Sequence, residues 1–415
     1  MTNLEFLNLD FINTVAFGGL VLFVGYGVRR LLPWLARYNV PAPVIGGLMV
    51  AIAMLIGRSR GIELATFDTR LQLPMQIAFF TTVGFGASLS LLKVGGPQVV
   101  IFLVLATILA VLQNVVGIAL ALPLGMHPLF GVLNGSVTLT GGPATGLAFA
   151  PQFEQAGVPG AAAVAVAAAM AGIVSGGLIG GPVGTLLIER HRLRRPRRSV
   201  RHEEPPLATQ IVEEKIDRGG APQAPPGEDK ESYALLKALV IILVAMWLGS
   251  WLSGRFTALG ITLPAYIGAM LTAAAIRNFD DVTGWLGLSQ RVIDDIGSVS
   301  LSLFLVLALM TLQLWQLTGL ALPMLMILVA QVALVAAACW PMFRLMGADY
   351  DAAVMSGGLC GFMLGTTANA MASMETIVDR YGPAPRAYLV VPMVGAFFID
   401  FTNALLITVC LNLWS

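Results

Sequence analysis

Charge is scarce in this chain, and so is the chemistry that marks an enzyme. Only 11% of the residues are charged, against roughly 25% in a soluble domain. The three cysteines, Cys339, Cys360 and Cys410, all fall in apolar runs and offer neither a disulfide framework nor a metal-ligand spacing. The three histidines, His127, His191 and His202, do not cluster. There is no His-Glu-x-x-His, no Gly-x-Ser-x-Gly and no pair of deep carboxylates, which argues against an intramembrane hydrolase. The N-terminus carries Glu5 and Asp10 but no basic stretch, so the first apolar run reads as a spanning helix rather than a cleaved leader.

What is present is mostly apolar. Hydrophobic residues make up 57% of the 415, and the mean hydropathy is +0.82. This composition belongs to an all-α polytopic membrane protein. A span needs about 20 mostly apolar residues. Candidates are 11–32, 40–56, 73–92, 99–122 and 161–188, then 233–252, 263–276, 296–315, 319–345 and 387–413. Between the two sets lies 189–232, which opens with seven arginines from Arg190 to Arg201 and turns Pro/Gly-rich and acidic. It reads as a solvated linker whose arginines keep it in the cytoplasm.

The two sets are repeats. Ile45-Gly46 matches Ile267-Gly268, Leu124-Gly125 matches Met346-Gly347, and Gly135 matches Gly357, each 222 positions apart. The repeat units are therefore 1–188 and 233–415. Each contains a flawed apolar stretch, 129–150 in the first and 351–375 in the second, rich in glycine and small hydroxyl residues. Charge placement tells whether these stretches cross the membrane. If they enter and leave on one side, each half has five spans, with nine basic residues inside (Arg29, Arg30, Arg37, Lys93, Arg277, Arg291, Arg344, Arg380, Arg386) and four outside (Arg58, Arg60, Arg70, Arg255). If they cross, the count becomes six against seven. The positive-inside rule favours two re-entrant hairpins in an inverted repeat, with both termini periplasmic.

Broken helices at membrane depth are tolerated where they line a cavity, and paired breaks in two halves point to a transporter's binding site. A break at Gly141-Gly142-Pro143 exposes N–H groups at one helix start, suited to a carboxylate, and C=O groups at one helix end, suited to sodium. Candidate substrate-binding residues are Ser136, Thr138, Thr140, Gly141, Gly142 and Thr145 in the first hairpin. Gly365, Thr366, Thr367 and Asn369 are their counterparts in the second. Asp400 and Asn403 join them from the last span. Asp400 stands 14 residues after Arg386, about 21 Å along a helix, and an acid so deep is a functional candidate by default. Sodium would fall to Asp400, Asn403, Thr138 and Thr367. Glu154 and Glu375 read as solvated. Gln113 and Asn114 either line a cavity or bond a neighbouring helix. The smooth Ala/Val/Gly helix over 161–184 suits close packing against a hairpin.

These residues resemble the bacterial sodium/glutamate symporter family. The likeness rests on Pro41-Ala42-Pro43-Val44-Ile45-Gly46-Gly47, Thr138-Leu139-Thr140-Gly141-Gly142, Val299-Ser300-Leu301-Ser302-Leu303 and Ala321-Leu322-Pro323. Its most specific segment is Val390-Val391-Pro392-Met393-Val394-Gly395-Ala396-Phe397-Phe398-Ile399-Asp400. The resemblance covers nearly the whole chain except the linker. It implies sodium-coupled uptake of L-glutamate across the bacterial inner membrane, ten spans, two re-entrant hairpins and a homodimer. Related folds work as elevators. It calls for sodium as coupling ion, with no cofactor and no nucleic-acid partner. The rival readings are a symporter of another small carboxylate and, further off, a cation/proton antiporter.

Overall fold

The computed structural model describes residues 5–94, 96–193, 229–259 and 263–414. Most of the predicted linker, 194–228, lies outside the described residues. Helices dominate, because a backbone without water must satisfy its own N–H and C=O groups. In the first half they are α1 Phe11–Leu31, α2 Pro33–Arg37, α3 Ala42–Ser59, α4 Gln72–Gly86, α5 Leu89–Val94, α6 Gly96–Ala121, α7 Pro128–Val132, α8 Gly142–Gln155 and α9 Ala161–Arg190. The second half has α10 Lys230–Ala258, α11 Ala265–Thr283, α12 Gln290–Met310, α13 Ala321–Leu345, α14 Tyr350–Met363, α15 Thr367–Tyr381, α16 Pro385–Met393 and α17 Ile399–Trp414. The α7 and α14 starts are 222 positions apart, like their caps His127 and Asp349.

Among the described residues, eight helical segments are long and apolar enough to cross a membrane. The two remaining expected spans differ for local reasons. Helix α11 carries Arg277, Asp280 and Asp281 in its second half, which lowers its hydropathy. The last span is interrupted by a π turn, Val394–Phe398, so that only Ile399–Trp414 is regular apolar helix. The structure also contains a feature that an all-helical reading omits. Strand β1, Glu5–Leu9, pairs in parallel with β2, Glu63–Phe67. Helices α1 to α3 make the crossover that parallel strands require.

The helices sort into two packed groups. In one, α1 packs on α3, α10 on α11, α4 on both α11 and α12, and α3 on α12. In the other, α6, α9 and α13 surround the two helical hairpins, α7–α8 and α14–α15. Helix α9 explains how backbones come so close there. A Cβ at Gly172 would lie 2.4 Å from the Leu364 carbonyl oxygen, and one at Gly180 would lie 2.9 Å from that of Gly357. A helix with no side chain at those steps lets the second hairpin pack main chain to main chain.

Candidate functional site

Both hairpins turn at the seam between the helix groups. The first arm of the first hairpin runs from Pro128 into a π turn, Leu133–Val137, where Gly135 leaves helical geometry with φ −104° and ψ −128°. The chain reverses at Thr140-Gly141, and α8 starts at Gly142, whose φ of +69° favours glycine. The second hairpin reverses at Leu364-Gly365, and the Thr366 hydroxyl caps α15 by accepting the Asn369 N–H at 3.4 Å. The two turns nearly touch: a Cβ on Gly142 would lie 3.8 Å from the Gly365 carbonyl oxygen.

A cavity of about 410 Å³ opens at this meeting point, within the usual range for a small-molecule site. Its hairpin wall includes Thr140, Gly141, Gly142 and Pro143 from the first turn and Gly365, Thr366 and Thr367 from the second. Asp400 lines it too, on the first turn of α17. Among the described residues the Asp400 carboxylate has no hydrogen-bond or ion-pair partner. The opposite wall comes from the other group, with Tyr26 and Arg29 of α1, Pro41 to Pro43 at the start of α3, and Ser302 of α12. By sequence Arg29 is only a charge expected on the inner side. Its place on the cavity wall depends on how α1 crosses α3, which residue type alone does not reveal.

Seven of the twelve candidate residues thus share one cavity: Thr140, Gly141, Gly142, Gly365, Thr366, Thr367 and Asp400. The other five stand behind the wall. The Thr138 hydroxyl donates to the Leu133 carbonyl at 2.8 Å. Thr145 is buried against Gly141. Asn369 donates through Nδ2 to the Ile173 carbonyl of α9 at 2.7 Å. Asn403 donates to the Ser136 carbonyl at 2.9 Å, and Ser136 itself is fully buried.

Two residues of α6 tie this shell together. Gln113 accepts the Thr140 hydroxyl at 2.7 Å and donates to the Met363 carbonyl at 2.9 Å, so one buried amide holds both turns. Asn114 accepts the Ser136 N–H at 3.0 Å. Both therefore bond neighbouring elements. Chemically, two helix starts face one cavity that has one carboxylate, Asp400, and one guanidinium, Arg29, on its walls. Such a space can take a small anion that also carries a cationic group.

The fold and this cavity define a multi-pass membrane protein with a largely apolar cavity between two helix groups, into which Asp400, Arg29 and a few hydroxyls bring polar atoms. Residues 7–383 match the family model described as Sodium/glutamate symporter. The chain is 41% identical over 399 residues to a sodium/glutamate symporter of Haemophilus influenzae, covering 95% of this chain and 96% of that protein. It is 40% identical over 409 residues to the sodium/glutamate symporter of Escherichia coli strain K12, covering 98% of each. The chain belongs to the sodium/glutamate symporter family.

Proposed function

We propose that the protein is a secondary active transporter that couples sodium entry to the uptake of L-glutamate. The observation that carries this reading is the meeting of two helix starts, one from each hairpin, in a single cavity with Asp400 on its wall. Each helix start favours a carboxylate. Glutamate has two, and its ammonium group is the natural partner of Asp400. Thr140, Thr366 and Thr367 add hydroxyls at the wall, while Ser136, Thr138, Thr145, Asn369 and Asn403 hold the turns from behind. Sodium goes to oxygens of Asn403, Thr138 and Thr367, and of Asp400 if that acid holds the ion rather than the ammonium group, and there it orders the site for the substrate. The activity needs no enzyme chemistry and no resident cofactor; its partners are glutamate, sodium and the bilayer.

The finer architecture follows the same reading. Residues 1–188 and 233–415 form an inverted repeat with five spans each, joined by a cytoplasmic linker, 189–232. The matched starts of α7 and α14 support the repeat. The excess of basic residues on one side supports hairpins that are re-entrant from opposite faces, with periplasmic termini in a bacterial inner membrane. The hairpin-bearing group slides as an elevator against the group built on α1, α3 and α12, and that second group forms a homodimer.

Reconstituted protein in liposomes tests the function directly. Labelled glutamate should accumulate, saturably, only when sodium is higher on the entry side. Undiminished accumulation with no sodium gradient would sink the coupling. A competition panel separates the rivals. Carboxylates without an amine that displace glutamate better than glutamate itself would move the substrate to another class. Proton-driven sodium movement that ignores glutamate would make the protein an antiporter.

A further inference from the structure

Buried polar atoms normally find a partner, and those that do not call for an explanation. Several side-chain oxygens near the first hairpin lack one. Ser136 Oγ, Asn403 Oδ1 and Asn134 Oδ1 are all buried and unpartnered. Ser136 and Asn134 lie in the π turn Leu133–Val137, and Asn403 grips that same turn from α17.

The surroundings hold these oxygens in place without satisfying them. The Asn403 Nδ2 donates to the Ser136 carbonyl, and the Ser136 N–H donates to Asn114 Oδ1. The Asn134 Nδ2 donates to the Phe130 carbonyl at 2.8 Å. Each amide nitrogen thus donates to a carbonyl, which points the oxygen of Asn403 and of Asn134 away from that bond. Ser136 Oγ and Asn403 Oδ1 belong to residues in direct contact, yet they do not bond each other. The turn is also seated flush on α6, where a Cβ at Gly135 would lie 2.9 Å from Asn114 Oδ1.

Two bare, neutral, hard oxygens on residues in direct contact are expensive to bury empty and favourable to bury around a small cation. The neutral character speaks against a divalent ion, which would ask for carboxylates. Among the described residues no group of three His, Cys, Asp or Glu could hold a metal. One acid is still near: Asp400 lies three residues before Asn403, on the same face of α17, and lines the substrate cavity.

We infer that the π turn of the first hairpin is a sodium site in its own right, with Ser136 Oγ and Asn403 Oδ1 as ligands. It lies behind the cavity wall and shares Asn403 with the sodium ligands proposed above. This rests on the sodium-coupled reading above and says where one coupling ion sits. An ion there joins the first hairpin to the last helix, and so fixes the turn from which Thr140 and Gly141 reach the cavity. In the second hairpin Gly358 takes the place of Ser136 at the repeat spacing of 222, and the buried oxygens without partners there, Asn369 Oδ1 and Ser373 Oγ, lie on α15 instead.

Ser136→Ala is the discriminating variant, because it removes the unpartnered oxygen and no hydrogen bond of the hydroxyl. Thermal stability is measured in sodium, potassium and choline chloride, and uptake in liposomes across a sodium series. In choline the variant should be at least as stable as the parent. In sodium the parent should gain stability that the variant lacks. The sodium concentration for half-maximal uptake should rise tenfold or more, while the glutamate KM at saturating sodium stays within threefold. Asn403→Ser should move the sodium dependence in the same direction. Variants that keep the parent's sodium dependence would overturn the site, as would potassium stabilising the parent as well as sodium does. A parent protein with no sodium-dependent uptake would instead refute the coupling reading on which the site depends.

Discussion

Replacing Gln113 by leucine keeps the size of the side chain and removes both of its polar ends. In the parent, the amide accepts the Thr140 hydroxyl and donates to the Met363 carbonyl, both well inside the protein. Leucine leaves those two groups without their partner. A stranded buried polar group costs about 1–3 kcal/mol. The Thr140 hydroxyl has a weak fallback in the Met363 sulfur at 3.9 Å, while the Met363 carbonyl loses its amide. The expected total is about 2–4 kcal/mol. The stranded groups sit at the two turns that meet in the cavity, so the loss should be felt in binding as well as in folding. Every ~1.4 kcal/mol expressed at the site is tenfold in affinity. The variant should therefore show a lower thermal midpoint and a glutamate KM raised by about tenfold or more. Gln331→Leu is the control. Its amide donates to the Gln113 backbone carbonyl at 2.6 Å, beside Gly135 rather than at either chain reversal, and its own Oε1 is already unpartnered. That variant loses one bond but also an unsatisfied acceptor, so it should change both readouts far less. A Gln113→Leu protein with parental stability and KM would refute the argument, and so would equal losses in the two variants.

Other perturbations test separate links. Asp400→Asn should abolish sodium-driven glutamate uptake while the purified protein keeps its thermal midpoint; normal transport would reduce Asp400 to a bystander on the cavity wall. Gly142→Ala places a side chain at φ +69°, where the left-handed backbone costs about 1–2 kcal/mol, and uptake should fall without loss of expression. Gly172→Ala drives a Cβ to 2.4 Å from the Leu364 carbonyl oxygen, so the second turn must shift, and both stability and maximal rate should drop. Sodium and glutamate should raise each other's affinity by one common factor in equilibrium binding, and unequal factors would show that the two do not share a coupled site.

The hairpins were legible in the chain because their composition is at odds with their surroundings. Gly141-Gly142-Pro143 cannot continue a buried helix, and Thr366 is a ready helix cap. Asp400 was legible because a charge is conspicuous in an apolar run. The breaks inside Leu133–Val137 and Val394–Phe398 were not, since Leu-Asn-Gly-Ser-Val and Val-Gly-Ala-Phe-Phe differ little from helical sequence. Nor was the β1–β2 pair, whose two short strands lie far apart in the chain and depend on helices between them for their alignment.

The same division holds for the site. Hydropathy, broken symmetry and one deep acid are properties of the chain, and the chain by itself determined the class, the two hairpins and seven residues that share the cavity. The rotation of each hairpin arm about its axis is set by what packs on it, and only the tertiary structure decided that. It turned Thr138 and Asn369 toward backbone carbonyls and brought Ser136 against Asn403. It also put Arg29 on the cavity wall and made Gln113 the link between two turns that lie about half the chain apart. Periodicity names the faces of a helix; the glycines of α9 and the amides of α6 choose which face meets the cavity.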